Sequence, residues 1–442
     1  MNIQLSDHFT YTKLIRFTLP SIGMMIFTSV YGVVDGFFVS NFVGKTPFAA
    51  VNLIYPFLMI LGAFGFMFGT GGSALIAKNM GMGNRQKAQE IFSMLVYISI
   101  GGGMVIAVLG ILLLPHIAAL LGAEGELLDG CVVYGRIILL AIPVFMLQME
   151  FQSFFITAEK PQLGFWVTIA SGVTNMVLDA LLVAVFPLGL TGAAAATALS
   201  QVVGGTIPLL YFSRPNASLL RLTHFHFDAR ALWKTCTNGS SELMSNLSMS
   251  LVSMLYNVQL MRYAGEDGVA AYGVMMYVSF VFMAAFIGYS IGTAPVISYH
   301  YGAENKAELH SLLQKSLTLI ALCSVAMLLA GEVLARPLSA IFVGYEPQLF
   351  QLTRRGFTIF SFSFLFSGFA IYGSGFFTAL NNGLVSALIS FLRTLVFQIA
   401  AVMLLPLIWE IDGIWLSVVA AELAAALLTI TFMVAMRKKY GY

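Results

Sequence analysis

Ionisable side chains inside long apolar segments are the residues of this 442-residue sequence most able to do chemistry. There are six of them: Asp35, Glu150, Asp179, Glu242, Arg393 and Glu422. Each costs about 2.5–3.5 kcal/mol at the centre of a bilayer, so each is a candidate for function. Because five of the six are acidic, they favour a cation as the species that is bound or transported.

Three of the polar residues lie at a common depth. Asp35 lies about five residues before its segment ends, Asp179 about seven before its segment ends, and Thr197 about six after its segment begins, so all three are roughly 7–11 Å inside the same boundary. Asn175 precedes Asp179 by four residues, so both project from one face of a helix.

A single polar pocket is predicted from these four side chains, Asp35, Asn175, Asp179 and Thr197. Their oxygen atoms suit a hard cation such as Na⁺, and two acids held close in a low dielectric can bind a proton instead. Hydrogen bonding between helices is the alternative role. For Asn175 and Thr197 taken singly the sequence favours that alternative, whereas the cost of an intramembrane carboxylate favours function for the two aspartates. No other metal and no cofactor is expected.

The remaining charged residues form a second group. Glu242 lies near one end of its segment, and the sequence leaves a site role and a structural role equally open. Arg393 and Glu422 lie near the middle of neighbouring segments, which predicts an ion pair that fixes helix positions. Glu150 is close to a boundary, so its carboxyl is expected to extend towards the headgroup region.

The elements that must hold these residues are membrane-spanning helices. The composition is 59% hydrophobic and 10% charged, with a mean hydropathy of +0.89. A soluble protein would carry about a quarter charged residues, so this one is expected to face lipid. The net charge of +2 implies no nucleic-acid partner. Apolar runs predict an all-α integral membrane protein with twelve spans, at 14–40, 48–78, 91–114, 131–157, 163–186, 191–213, 235–263, 269–299, 312–334, 353–380, 384–408 and 413–436.

The distribution of Lys and Arg predicts the orientation. One set of loops and boundaries carries Lys13, Arg16, Lys78, Arg85, Lys87, Lys160, Arg214, Arg221, Arg230, Lys234, Lys306, Lys315, Arg437, Lys438 and Lys439. The opposite set carries Lys45, Arg136, Arg262, Arg336, Arg354 and Arg355. The positive-inside rule therefore predicts that both termini are cytoplasmic, in a bacterial cytoplasmic membrane.

An internal repeat divides the chain. Three glycines recur in similar contexts 221 residues later, as the pairs Gly44 and Gly265, Gly81 and Gly302, and Gly192 and Gly413. Six spans return the chain to its starting side, so the repeat is parallel. The sequence predicts an N-terminal six-helix lobe at 1–213, a cytoplasmic linker at 214–234 and a C-terminal six-helix lobe at 235–442, with a cleft between the lobes that opens to either side.

Several local motifs resemble those of the multidrug and toxic compound extrusion (MATE) family. They are Pro20 early in the first span, "VDGFFVSNFVG" around Asp35, "GMGN" at 81–84, "NMVLD" at 175–179 and "GAAAATALSQ" at 192–201. The resemblance implies a V-shaped pair of helix bundles that works by alternating access. It also implies export of lipophilic or organic cationic compounds in exchange for H⁺ or Na⁺.

The same resemblance implies roles for individual residues. Family members use an aspartate on the first helix, an Asn and an Asp on the fifth and a Thr on the sixth, which match Asp35, Asn175, Asp179 and Thr197. Pro20 is then a helix hinge. Other members use a glutamate on the seventh helix, which Glu242 matches, with an aspartate on the tenth. The tenth segment here has no acidic residue, which departs from that second-lobe pattern.

Two other functions compete with this interpretation. A lipid-linked saccharide flippase of the same superfamily would need a basic cavity for its pyrophosphate, whereas the buried charge here is mainly acidic. An intramembrane enzyme would need HExxH, GxGD or a Ser/His pair, and none is present. Without GxxxxGK[ST], the chain is not expected to carry its own ATPase. The expected partners are small molecules and the lipid bilayer, and the expected state is a monomer.

Overall fold

Helices account for every regular element in residues 3–442, which are the residues that the computed structural model describes. They are α1 (Tyr11–Phe42), α2 (Lys45–Gly81), α3 (Arg85–Leu120), α4 (Glu126–Leu140), α5 (Ile142–Thr157), α6 (Pro161–Asp179), α7 (Gly189–Ser213), α8 (Ala229–Gly302), α9 (Lys306–Val343), α10 (Pro347–Ser361), α11 (Phe364–Ala379), α12 (Gly383–Phe391), α13 (Phe397–Leu404) and α14 (Pro406–Tyr440). Two π-helical segments, Ala180–Val185 and Leu392–Val396, continue α6 and α12.

Twelve membrane crossings follow from these helices. Nine continuous helices are long and apolar enough to cross a bilayer. Two of the nine run through π-helical segments, namely Pro161–Val185 (α6) and Gly383–Leu404 (α12 and α13). Two bent pairs, α4 with α5 and α10 with α11, add one crossing each. Helix α8 has 74 residues, or about 110 Å at 1.5 Å per residue, far beyond the ~30 Å of a bilayer core. It breaks at Gly265, where φ is 63°, and therefore supplies two crossings. The described residues thus confirm the predicted twelve-helix fold class.

The bends in the helices coincide with prolines only in part. The two bent pairs turn by 58° at Ala141, close to Pro143, and by 47° near Phe362, where no proline lies. Prolines within crossings are a common cause of kinks, yet Pro20, Pro56, Pro208 and Pro295 lie inside helices with no non-helical residue beside them. A single proline removes one backbone hydrogen bond, and packing on neighbouring helices holds these segments helical. The hinge role of Pro20 concerns movement and stays a prediction.

Equivalent local structures recur 221 residues apart. Gly44 and Gly265 both have positive φ, 118° and 63°, at the turn between consecutive crossings. Asn84 and Asn305 both begin a helix as N-caps, and each side-chain oxygen accepts from the backbone N–H three residues later, at 3.2 and 3.1 Å. Glycine at the two turns avoids the steric penalty that a side chain meets at positive φ.

Close backbone packing joins the two halves of the chain on one side of the bundle. The side on which α1 begins and α14 ends is named the terminal side, and the opposite one the far side. A Cβ atom added to Gly71 of α2 would overlap the Thr235 carbonyl oxygen of α8, and one added to Gly239 would overlap the Met67 carbonyl oxygen. Glycine therefore permits a close approach of the α2 and α8 backbones towards the terminal side.

The segment before α1 also bridges the two halves on the terminal side. The backbone N–H of Leu5 donates to Glu159 Oε1 at 2.6 Å, and Glu159 follows α5 in the first half. The N–H of Phe9 donates to Glu308 Oε1 at 2.9 Å, and Glu308 lies in α9 of the second half. These contacts hold the terminal side together in this structure.

Helix α8 begins earlier than the sequence suggested. Its first residue is Ala229, whereas the predicted span begins at 235. Asp228 explains the difference, because its side chain accepts from the N–H groups of Arg230 and Ala231 and so caps the helix. The non-helical connection between the halves is therefore limited to residues 214–228.

Candidate functional site

Asp35 of α1 and Asp179 of α6 are at the centre of a polar pocket in the first half of the chain. Thr197 of α7 donates from Oγ1 to Asp35 Oδ1 at 3.5 Å. Asp179 and Asn175 are adjacent to the Asp35 carboxylate, and they are 0% and 2% exposed. The structure therefore brings together the four side chains that were singled out from the sequence, from three different helices.

A glycine lets α1 and α6 approach closely enough to form this pocket. Gly172 lies on α6 about one turn from Asn175. A Cβ atom added there would lie 2.8 Å from Cδ1 of Tyr31 and would overlap the ring of Phe27, both on α1. A larger residue at this position would force the Phe27 and Tyr31 rings of α1 to shift.

Asp179 also lies where the helical hydrogen-bond pattern changes. It is the last residue of α6, and the π-helical segment Ala180–Val185 follows directly. Arg393 in the second half lies within the other π-helical segment, Leu392–Val396. Such segments often mark functional sites in helices. Sequence periodicity gave no sign of either, because one extra residue in a turn leaves the apolar pattern of the segment unchanged.

Unpaired oxygen atoms give the pocket its chemistry. Both carboxylate oxygens of Asp179 and the carboxamide oxygen of Asn175 are buried and receive no hydrogen bond from the residues that the structure describes. Carboxylates, a carboxamide and a hydroxyl are oxygen ligands of the kind that hard cations prefer. A proton shared between Asp35 and Asp179 would satisfy the same oxygens. The donor set therefore fits either Na⁺ or H⁺.

Three tyrosines surround the Asp35 carboxylate and were missed from the sequence. Tyr31 of α1, Tyr55 of α2 and Tyr134 of α4 all lie close enough to interact electrostatically with Asp35. Tyr31 precedes Asp35 by four residues, so its position on the same helix face was available as a signal. Tyr55 and Tyr134 belong to other helices, and nothing in their local sequence distinguishes them from other membrane tyrosines.

Comparison with known families identifies the chain. A family model described as MatE matches residues 20–181 and 243–404, which together make up most of the sequence. The chain belongs to the MatE family. The two matched ranges fall in the two halves of the chain.

Relatives and solved structures agree with the MatE assignment. The multidrug export protein MepA of Staphylococcus haemolyticus (strain JCSC1435) is 24% identical over 434 residues, covering 97% of this chain and 94% of that protein. A crystal structure of MATE in complex with MaL6 superposes with a TM-score of 0.91 at 21% identity, over 98% of each chain. An outward-facing multidrug resistance MATE family transporter of the MOP superfamily gives 0.91 at 22% identity, over 99% of each chain. The chain is a multi-pass membrane protein with the V-shaped MATE fold.

The second half of this MatE chain contains a separate charged cluster. Arg393 and Glu422 form a two-point ion pair, with Nε to Oε2 at 2.9 Å and Nη2 to Oε1 at 3.0 Å. Glu242 of α8 is near enough to Arg393 to interact with its charge. None of the three residues contacts the pocket around Asp35 through a hydrogen bond in the described range. The predicted role of Glu242 in a cation site stays a prediction.

Glu150 is more completely buried inside the protein than the sequence suggested. The expectation that its carboxyl extends to the headgroup region is wrong, because the side chain is 0% exposed. Helix α2 packs directly over it, because a Cβ atom added to Gly69 would lie only 3.0 Å from Glu150 Cα. Its two oxygens receive no hydrogen bond from the described residues, and the Ser99 hydroxyl nearby is also unpaired. No cation balances the carboxyl within hydrogen-bonding distance in that range.

Proposed function

We propose that this MatE chain is a secondary active multidrug efflux transporter that exports lipophilic and organic cationic compounds in exchange for H⁺ or Na⁺. The observation that carries the proposal is the pocket of Asp35, Asp179, Asn175 and Thr197 inside the membrane-spanning part of the first half. The substrate class is supported by the name of the MepA relatives, which are multidrug export proteins.

Charge neutralisation in the pocket provides the coupling. Asp35 and Asp179 placed side by side repel each other when both are ionised, so binding of H⁺ or Na⁺ lowers the energy of the arrangement. The hydroxyl of Thr197 and the carboxamide of Asn175 complete the oxygen set. Export is coupled to entry of the cation when substrate and cation favour different states of the transporter.

Alternating access is proposed with the terminal side facing the cytoplasm. The terminal side carries most Lys and Arg residues, as the positive-inside rule requires of cytoplasmic loops. The close approach of α2 and α8 at Gly71 and Gly239 then closes the cytoplasmic side in this state. Return to the inward-open state requires those backbone contacts to separate, with movement of α1 at Pro20 as one contribution.

Charge argues against the flippase alternative. Arg393 lies near the middle of its crossing, and Glu422 pairs with its guanidinium in the described structure. A lipid pyrophosphate would therefore meet a net negative interior. Transport needs no catalytic residues, and we propose that the chain is a carrier and not an enzyme.

Efflux of ethidium from everted or whole bacterial cells, with Na⁺ and pH gradients varied independently, tests the proposal. Efflux should be lost when one of the two gradients is removed, and the gradient whose removal stops efflux identifies the coupling ion. Asp35→Asn and Asp179→Asn should each reduce coupled efflux at least tenfold, about 1.4 kcal/mol or more in coupling. Asp129→Asn, an exposed acid at the start of α4, is the matched control and should transport normally.

Two outcomes would contradict the proposal. Normal efflux by both Asn variants under either gradient would remove the pocket from the coupling mechanism. Absence of efflux by the unmodified chain under both gradients, with the protein present in the membrane, would argue for a narrower substrate or for a flippase.

A further inference from the structure

A groove opens on the lipid-facing surface of the second half, between α9, α11 and α14. It encloses about 410 Å³ and lies on the terminal side, near the start of α9 and the end of α14. Its walls are mainly apolar, from Leu313 and Leu317 of α9, Phe369 of α11, and Ile430, Met433 and Val434 of α14. It is separate from the pocket around Asp35, which is built from α1, α6 and α7.

The position of this groove in the bilayer follows from its exposed residues. Ile430 is 51% exposed and Val434 is 71% exposed, and large apolar side chains on the surface of a membrane-crossing helix face lipid. From Arg437 to Thr429, α14 rises about 12 Å along its axis. This length is close to the ~15 Å hydrocarbon depth of one leaflet, so the groove runs from the headgroup level towards the midplane.

The terminal-side end of the groove is polar and basic. Arg437 and His310 line it, and no acidic residue does. Arg437 uses Nε to donate to the backbone oxygen of Tyr442 at 3.2 Å, and its other N–H groups have no acceptor among residues 3–442. Tyr442 is 4% exposed, and its hydroxyl donates to the Met433 carbonyl oxygen at 2.9 Å. This hydrogen bond fixes the position of Tyr442 beside the guanidinium.

We propose that this groove binds an anionic phospholipid of the leaflet on the terminal side. One acyl chain lies along Leu317, Ile430 and Val434, and the phosphate accepts hydrogen bonds from the free N–H groups of Arg437. The guanidinium presents its N–H groups as a fork that matches phosphate oxygens. An anionic lipid is favoured over a zwitterionic one because no acidic side chain lines this end of the groove, where Lys438 and Lys439 directly follow Arg437.

Native mass spectrometry of the purified full-length chain in detergent tests this site with two lipids of identical acyl chains. Phosphatidylglycerol should be retained in preference to phosphatidylethanolamine. Arg437→Gln should weaken phosphatidylglycerol binding about fivefold, the effect of one basic residue near an anionic lipid. The matched control is Lys438→Gln, which removes the same charge from the next, exposed residue and should change binding less than twofold.

A second pair of variants tests the acyl-chain part of the groove. Val434→Trp should fill it and lower retention of both lipids, whereas Leu322→Trp, on an exposed part of α9 outside the groove, should not. Equal retention of the two lipids by the unmodified chain would overturn the proposal. So would equal losses for Arg437→Gln and Lys438→Gln, which indicate diffuse surface charge, or full retention by Val434→Trp. None of these outcomes bears on the efflux assay.

Discussion

Arg393 and Glu422 are joined by two parallel hydrogen bonds, 2.9 and 3.0 Å long, across the interface between the π-helical segment Leu392–Val396 and α14. The side chains are 17% and 5% exposed, so water screens the pair little. Removing one partner leaves the other charge in a low dielectric without compensation, and this cost exceeds the net value of the intact pair.

Loss of either partner of this pair should strongly destabilise the fold. We expect Arg393→Met and Glu422→Leu each to lower the free energy of unfolding by about 3–5 kcal/mol, and the double variant to recover most of it. Thermal or denaturant unfolding of the purified protein measures the cycle. Arg355→Met is the control, because Arg355 pairs with Asp412 while 70% exposed, and it should cost no more than about 1 kcal/mol. Additive losses in the double variant would contradict the coupling.

The hydroxyl of Thr197 should contribute to cation binding, since it is the group that donates to Asp35. Thr197→Val keeps the shape and removes the hydroxyl, so we expect the cation concentration for half-maximal transport to rise about fivefold, from the loss of about 1 kcal/mol. Thr197→Ser should stay within about twofold of the unmodified chain. Thr174→Val controls for removal of a hydroxyl nearby, because Thr174 bonds only to the Ala170 carbonyl of its own helix. An unchanged cation dependence for Thr197→Val would remove Thr197 from the site.

Replacement of the Glu150 carboxyl by a neutral amide should have little effect on the stability of the fold. A buried carboxyl with no partner for either oxygen is held in its neutral form, because an unpaired carboxylate in a low dielectric is far costlier. Glu150→Gln has nearly the same volume and is also neutral, so we expect it to change the free energy of unfolding by less than about 1 kcal/mol. Glu422→Gln, at a paired carboxylate, is the contrasting variant and should be clearly less stable in the same thermal unfolding assay. Comparable losses in the two would mean that Glu150 is ionised.

The crossings and the candidate pocket were predictable from the sequence for related reasons. A span of about 20 apolar residues is a strong local signal, and it located every crossing, with helix ends that differ from the predicted ones by up to nine residues. Depth and helix-face arguments brought Asp35 and Asp179 together because spans in a bilayer share a common depth scale. The comparison left the lobe boundaries and the roles of the individual residues as predictions.

Features that depend on packing between helices were not predictable. Glu150 was placed at a boundary by counting residues, but the close approach of Gly69 buries it. The bend near Phe362 has no proline, and the π-helical segment after Asp179 leaves no mark in the apolar pattern. Two of the tyrosines near Asp35, Tyr55 and Tyr134, come from other helices. The burial of Glu150 and the approach of Tyr55 and Tyr134 to Asp35 arise between residues far apart in the chain, which local periodicity does not record.

The ion pair between Asp228 and Lys87 should make stability depend on pH. The hydrogen bond that Lys87 donates to the Asp228 carboxylate is the main reason that the pKa of Asp228 lies below its ordinary value of 3.8. A carboxyl with a lowered pKa in the folded state stabilises the fold fully above its unfolded pKa, and this stabilisation is lost as the pH falls through the folded pKa.

Asp228→Asn isolates that charge, because asparagine caps a helix about as well as aspartate and α8 keeps its N-cap. Both partners are partly exposed, so we expect the variant to lose no more than about 1 kcal/mol at neutral pH. The difference in unfolding free energy should shrink once the pH drops below 3.8, because the protonated carboxyl no longer pairs with Lys87. Thermal unfolding of both proteins between neutral and acidic pH measures it, and a difference that stays constant over that range would contradict the ion pair as its source.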